Sequence, residues 1–338
     1  MRDQGFRLSG KSRWIALILA VLALGALIFG VVRAVSKARE DAYRATFGQT
    51  AGTVGGYNVT YELYRAFYLK YRAPLAKKGE TKAALDRAVR ARTEEALCGL
   101  YATVSLAASA GLSPEDADVK VAAEEELDAI KTYYEENELD FDKELEDGHM
   151  SEALFTYLLR IDALEEKLFV KFKADGRIPT DDAELLEILS GDGVLRLSWI
   201  YIEDGEGETH EDNRAVAEAA VAELDGGELY ATVCAHYSED KSMDASGAYL
   251  CYGEMPQTVY DAAAALAEGE YGGVLETEDG YYIVCRLPKD EAYLLENFDE
   301  LKAAYQSAEL SRKIAESRRS LSFTEGDMLR KLSGEDIH

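Results

Sequence analysis

Bond-making chemistry in a chain of this length is expected to show itself in histidines, cysteines and closely spaced carboxylates. Here each of these argues against it. His210 and His236 belong to no Ser/His/Asp arrangement, HExxH is absent, and no glycine-rich phosphate loop occurs. Cys98, Cys234, Cys251 and Cys285 form no CxxC pair and no Cys/His metal spacing. Each lies in an apolar pattern and reads as a small buried hydrophobe, with one disulfide left open. Acidic runs such as Glu124-Glu125-Glu126 lack ligand spacing and read as solvated helix faces. Neither a metal nor a cofactor is expected. The remaining stretch, Leu195 to Leu287, alternates strand-like and helical segments rich in aromatic and apolar residues.

That stretch opens with LRLSWIYI and closes with GYYIVCRL, both strand-like. Between them lie a helix from Arg214 to Leu224, a second helix running into HYSED, a short apolar piece, GAYLCYG, and a helix in EMPQTVYDAAAALAEGE. This is a compact α+β module. Before it, Thr60 is placed to cap a helix carrying Tyr61, Tyr64, Phe67, Tyr68 and Tyr71. GTVGGY, just ahead, reads as a glycine-rich turn. A long helix runs from Ala83 to Ala110 and stops at Gly111, and Ser113-Pro114 restarts one. Phe141 to Leu145 is a short piece, Ser151 caps the next helix, and Thr180 caps another from Asp181 to Leu189. Residues 45–190 therefore read as all-α, with no catalytic constellation. Beyond the module, Phe298 to Arg319 is an amphipathic helix that needs a partner for its apolar face, and packing on the first helical region is the simplest answer.

The chain has 338 residues, enough for about two domains. Its net charge of −27 is unevenly placed: residues 1–44 carry +5, leaving −32 for the rest. So acidic a body repels phosphate backbones, so nucleic acid is not an expected partner. Trp14 to Val32 is a run of 19 residues without charge, about 28 Å as a helix and close to the hydrocarbon thickness of a bilayer. It reads as a retained transmembrane anchor rather than a shorter signal h-region. Arg2, Arg7, Lys11 and Arg13 favour a cytoplasmic N-terminus, and the acidic body fits export.

Over nearly its whole length the chain resembles the membrane-bound extracytoplasmic foldases of the PrsA/SurA type, which carry a parvulin (PpiC-type rotamase) domain. TVGGYNVTYELYRAFYLKY looks like the family's entry motif, and LDFDKELEDGHMSEALFTYLLRIDALEEKLF like its recurring helix pair. LSWIYI, LYATVCAHYSED, SGAYLCYGEM, VYDAAAAL with EGE, and DGYYIVCRL follow in the order of the rotamase domain. The resemblance implies an α+β multidomain chain. Its parts are a cytoplasmic N-terminus (1–13), an anchor (14–33) and an all-α SurA-N-like chaperone domain (45–190). An inserted parvulin-like domain (194–288) with a four-stranded antiparallel sheet follows, then a C-terminal helical segment (292–338) returning to the helical domain.

By the same resemblance the partners are unfolded or newly exported polypeptides and their X-Pro segments, the activity needs no cofactor, and the assembly is open between monomer and homodimer. Carried over position by position, Asp240 falls where the family places its Asp or Cys, and Met255 on the pocket Met. Val259, with Tyr260 beside it, stands at the pocket Phe. Trp199 and Tyr282 replace the two polar-cluster histidines. Asp240, Tyr282 and Trp199 are thus the candidate catalytic residues, and Met255, Val259 and Tyr260 the candidate substrate-binding ones. Two readings stay open: a peptidyl-prolyl isomerase working with this altered set, or a platform that holds extended peptide without catalysis. A membrane adaptor docking to one dedicated partner is the alternative from another class.

Overall fold

Gly55 and Gly56, both at positive φ (56° and 90°), turn the chain back on itself where the described residues begin to form regular structure. The computed structural model describes residues 44–76, 81–204 and 210–337. The anchor expected at 14–33 lies outside them. Among the described residues no helix is long and apolar enough to cross a membrane. In chain order the elements are β1 (Thr50–Val54), β2 (Tyr57–Thr60), α1 (Tyr61–Leu75), α2 (Lys82–Ser109), α3 (Ala117–Glu136), α4 (Phe141–Asp147), α5 (Glu152–Ala174) and α6 (Asp182–Ser190). Then come β3 (Leu195–Glu203), α7 (His210–Asp225), α8 (Tyr230–Tyr237), β4 (Ala248–Leu250), α9 (Gln257–Ala264), β5 (Leu275–Thr277) and β6 (Gly280–Arg286). The chain closes with α10 (Glu291–Glu296), α11 (Phe298–Arg318), β7 (Phe323–Glu325) and a 3₁₀ turn (Leu329–Lys331).

The described chain divides into two compact units, and α2 and α5 contribute residues to both. The first contains the chain up to Leu97, Asn137–Phe155, and Ser322 onward. Its sheet has the order β2-β1-β7, antiparallel throughout. Gly52 lets β7 approach, since a Cβ there would come within 2.4 Å of the Phe323 ring. Thr60 caps α1 by accepting from the Leu63 N–H at 3.3 Å. The buried face of α1 is tyrosine-rich: Tyr61, Tyr64 and Tyr68 are at most 1% exposed. Tyr68 donates to Asp86 of α2 at 2.7 Å. Arg90 binds the same carboxylate and also donates to Glu325 (2.9 Å) and the Leu332 carbonyl (2.7 Å), which ties the chain's last residues to α2.

Three expectations need correcting here. Residues 45–190 are not all-α, because GTVGGY belongs to the β1–β2 hairpin. Residues 292–338 are not wholly helical, because β7 completes that sheet. Both strand signals are short and glycine-broken, and β7 finds its partner only through the tertiary fold. The restart at Ser113-Pro114 is a turn, with the Ser113 hydroxyl accepting from the Glu115 N–H at 3.1 Å; α3 begins at Ala117. One cap also shifts by a residue, since Asp181 rather than Thr180 caps α6.

The second unit comprises Cys98–Glu136 and Thr156–Leu321. Its sheet has the order β4-β3-β6-β5, all antiparallel. Strand alternation gives each face its own core. Ile200, Ile202, Tyr281 and Ile283 point toward α7 and α8, where Ala217, Ala220, Leu224, Val233 and Cys234 are buried. Leu195, Leu197 and Val284 point toward α9, against Val259, Tyr260 and Ala263. A third cluster joins Leu189 of α6 to Leu294 of α10, to Leu301 and Ala308 of α11, and to Cys251. Gln306 of α11, 3% exposed, accepts from Lys173 of α5 at 2.9 Å and donates to the Pro179 carbonyl at 2.7 Å. The partner of the apolar face of α11 is therefore α6, with α5 tied alongside by this polar anchor.

Candidate functional site

The α9 face of the four-stranded sheet holds the six candidate catalytic and substrate-binding residues read from the sequence. On β3, Trp199 and Tyr201 follow Leu195 and Leu197 at strand period, so all four share one face. Register sets Trp199 opposite Val284 and Tyr201 opposite Tyr282. The Tyr201 and Tyr282 rings lie 4.6 Å apart at 37°. Gly280 opens β6 at φ 144°, in a position where a Cβ would sit 2.1 Å from the Ile202 carbonyl oxygen. Only glycine lets the β5–β6 turn approach this closely.

Asp240 reaches this face because the chain leaving α8 continues the edge of β3 beyond β4. The Glu239 N–H donates to the Tyr201 carbonyl at 2.8 Å, and the Tyr201 N–H donates to the Ser238 hydroxyl at 3.2 Å. The Ser198 hydroxyl donates to the Asp244 carbonyl at 2.7 Å and holds the far end of the same loop. Trp199 Nε1–H then donates to Asp240 Oδ2 at 2.9 Å, while the N–H and hydroxyl of Ser242 donate to Oδ1 at 2.9 and 2.6 Å. The Ser242 hydroxyl foremost, with its N–H and the indole, holds the Asp240 carboxyl below the ordinary carboxylate range. Asp240 is therefore an anion at neutral pH.

Met255 precedes α9, which Pro256 opens, and Val259 and Tyr260 lie in its first turn. Val259 is fully buried and Tyr260 is 8% exposed. Both build the wall from behind. Met255, Trp199, Leu275 and Tyr282 pack on the same cluster and stay partly exposed, so theirs is the surface open to solvent. Tyr282 finds no hydrogen-bond partner for its hydroxyl among the described residues. Burial first, then Asp240 and Asp279, push that phenol up, so it remains a neutral donor at neutral pH.

Sequence reasoning missed Tyr201 and Ser242. Tyr201 was readable as the next same-face residue after Trp199, and Ser242 as the partner in an Asx-type turn started by Asp240. The histidines lie elsewhere. His210 is on the opposite face over Tyr281 (4.6 Å), between Asp204 (2.5 Å) and Glu276 (3.0 Å). His236 lies against Tyr237 at 4.5 Å. All four cysteines are buried free thiols, and burial pushes Cys251 up to about 12. Among the described residues no cluster of His, Cys, Asp or Glu could hold a metal ion. The α9 face thus offers an apolar wall with a fixed negative charge, Asp240, beside a free phenolic donor, Tyr282. Those groups suit a process in which no covalent bond changes.

Residues 200–287 match the family model described as Rotamase, PPIC-type PPIASE domain. The second unit therefore carries a rotamase-type domain, and its four-stranded antiparallel sheet and α7–α9 are that domain's framework. No curated protein matches the chain. Among solved structures it is similar to PrsA from Bacillus subtilis, at 17% identity, covering 81% of this chain and 93% of that one with a TM-score of 0.27. PrsA from Bacillus anthracis is 18% identical, with 66% and 95% covered and a TM-score of 0.33. A structure described under the SurA-like chaperones PEB4 and Cj1289 of Campylobacter jejuni is 13% identical, with 82% and 99% covered and a TM-score of 0.27.

Proposed function

We propose that this protein is a membrane-anchored extracytoplasmic foldase that binds unfolded or newly exported polypeptide, and that its rotamase-type domain takes X-Pro segments on the Trp199–Tyr282–Asp240 face. The observation that carries this reading is the convergence of Asp240, Trp199, Tyr282 and Met255 on one partly open surface within the segment that matches the rotamase model. The anchor is read from the apolar run at 14–33.

Rotation about a peptide C–N bond faces a barrier of about 18–20 kcal/mol because twisting breaks amide resonance. An X-Pro bond left alone takes tens to hundreds of seconds to isomerise. As the bond twists, the nitrogen regains a lone pair, and a donor placed there favours the twisted form over either planar one. Tyr282 is the group free to donate, since the Trp199 N–H is committed to Asp240. Met255, Leu275 and the Trp199 ring supply the apolar seat for the pyrrolidine. Asp240 orients the indole, and with it the wall of that seat.

Exchange spectroscopy on a short Ala-Pro peptide with the full chain in nanodiscs tests the reading. Accelerated cis–trans exchange that falls on Tyr282→Phe supports the isomerase form. Peptide binding without acceleration leaves a holding platform. A single tightly bound cellular partner, with neither of these, would return the protein to the adaptor class.

A further inference from the structure

The two faces of the rotamase-type sheet treat their acidic residues differently. Toward α7, Asp204 and Glu276 have basic company: His210 bridges them, and Arg214 stands 3.5 Å from Glu276. On and around the α9 face, Asp240, Asp279, Glu203, Glu239 and Glu254 have no ion-pair partner among the described residues. Their contacts are to neutral donors or backbone. Asp240 takes the indole and Ser242. Glu239 accepts from the Glu203 N–H at 2.6 Å, and Glu254 from the Cys251 N–H.

Two cations of this neighbourhood are already engaged. Lys241 donates to the Ser238 carbonyl. Arg286, at the far end of the cluster, donates to the carbonyls of Ala264 (2.9 Å) and Leu266 (3.0 Å) and pairs with Asp192. Neither neutralises the rim. Asp240, held by the Trp199 indole at 2.9 Å, and Asp279, whose carbonyl accepts from the Tyr201 hydroxyl at 2.8 Å, both adjoin Tyr282, whose ring lies 4.6 Å from that of Tyr201. Both carboxylates bear on the Tyr282 hydroxyl. A peptide bond lying at that hydroxyl therefore places its neighbouring side chain within reach of both.

We infer that this site selects X-Pro segments in which X is lysine or arginine, an inference that rests on the foldase reading above. A cationic side chain at X supplies the counter-charge the rim lacks, while its methylene stem lies along the Tyr201–Tyr282 rings. A glutamate at X brings a like charge within a Debye length, about 8 Å at physiological salt, of two fixed carboxylates. A neutral residue gains and loses neither.

The test uses the full chain in nanodiscs and three fluorescently labelled peptides, Ala-Xaa-Pro-Phe with Xaa lysine, norleucine or glutamate. Affinity is read by anisotropy and cis–trans exchange by NMR. The expected order in affinity, and in exchange where it is accelerated, is lysine, norleucine, glutamate. The span from first to last is roughly 3- to 10-fold, as exposed charge pairs allow, and it shrinks at high salt. Asp279→Asn is expected to narrow the lysine–glutamate gap. Equal values for the three peptides, or a preference for glutamate, overturn the inference and leave the foldase reading standing. If none of the three binds or is accelerated, the foldase reading falls and takes the inference with it.

Discussion

Asp240 shows how a carboxylate can be fixed at a partly open surface without a cation. Three donors from Trp199 and Ser242 hold it ionised, and the segment bearing it is itself pinned along β3. Tyr282, by contrast, is packed but chemically free. Tyr282→Phe should therefore leave the melting temperature unchanged. It should lower kcat/KM on an X-Pro peptide about 10-fold, the worth of one hydrogen bond of about 1.4 kcal/mol realised in the twisted state. A fall in stability with no change in rate would place the hydroxyl in the core rather than at the chemistry.

His210 offers a separate test by pH. Asp204 foremost, and then Glu276, raise its pKa in the folded state. Its stabilising contribution is thus fully present below the unfolded value, near 6.5, and is lost as pH rises through the higher folded value. Urea unfolding at pH 5.5 and 8.5 should show the native chain losing stability relative to His210→Gln as pH rises. Of these residues, Asp240, Trp199 and Tyr282 were legible because ordered motifs resemble those of a known domain. The charge balance around them was not, because it depends on which carboxylates find partners in space.

At the scale of elements, the long helices and two of their caps were legible, while the helix starts read at Ser113 and Thr180 and most of the short strands were not. Thr60 and Ser151 cap the helices their positions announced, and α2 runs almost where its apolar repeat places it. β1 and β2 were hidden because Gly52, Gly55 and Gly56 interrupt any period-2 pattern, and β5 and β7 are three residues each, too short to show one. The glycines that hid the hairpin also shape it: two provide the turn and one admits Phe323. Gly280 is the corresponding position in the second sheet. Gly280→Ala should cost about 1–3 kcal/mol in urea unfolding, since it combines a positive φ with a backbone clash at 2.1 Å. If it proves neutral, the β5–β6 turn is not held as tightly against β3 as its geometry implies.

At the scale of the whole molecule, composition set the limits and the fold decided what lies within them. A net charge of −27 argues against nucleic acid as a client, and the resemblance of the rotamase segment, rather than composition, is what pointed to conformational catalysis or holding. Foldase action further requires that the full chain, at stoichiometric excess, slow the aggregation of a reduced, unfolded client protein. No change in light scattering would count against it. The most direct test of the central claim is cis–trans exchange of an Ala-Pro peptide at equilibrium, with and without the full chain in nanodiscs. The account predicts exchange above the uncatalysed rate or peptide binding at the Trp199–Tyr282 face, either one weakened by Asp240→Ala. Exchange at the background rate with no binding, unchanged by Asp240→Ala, would contradict it.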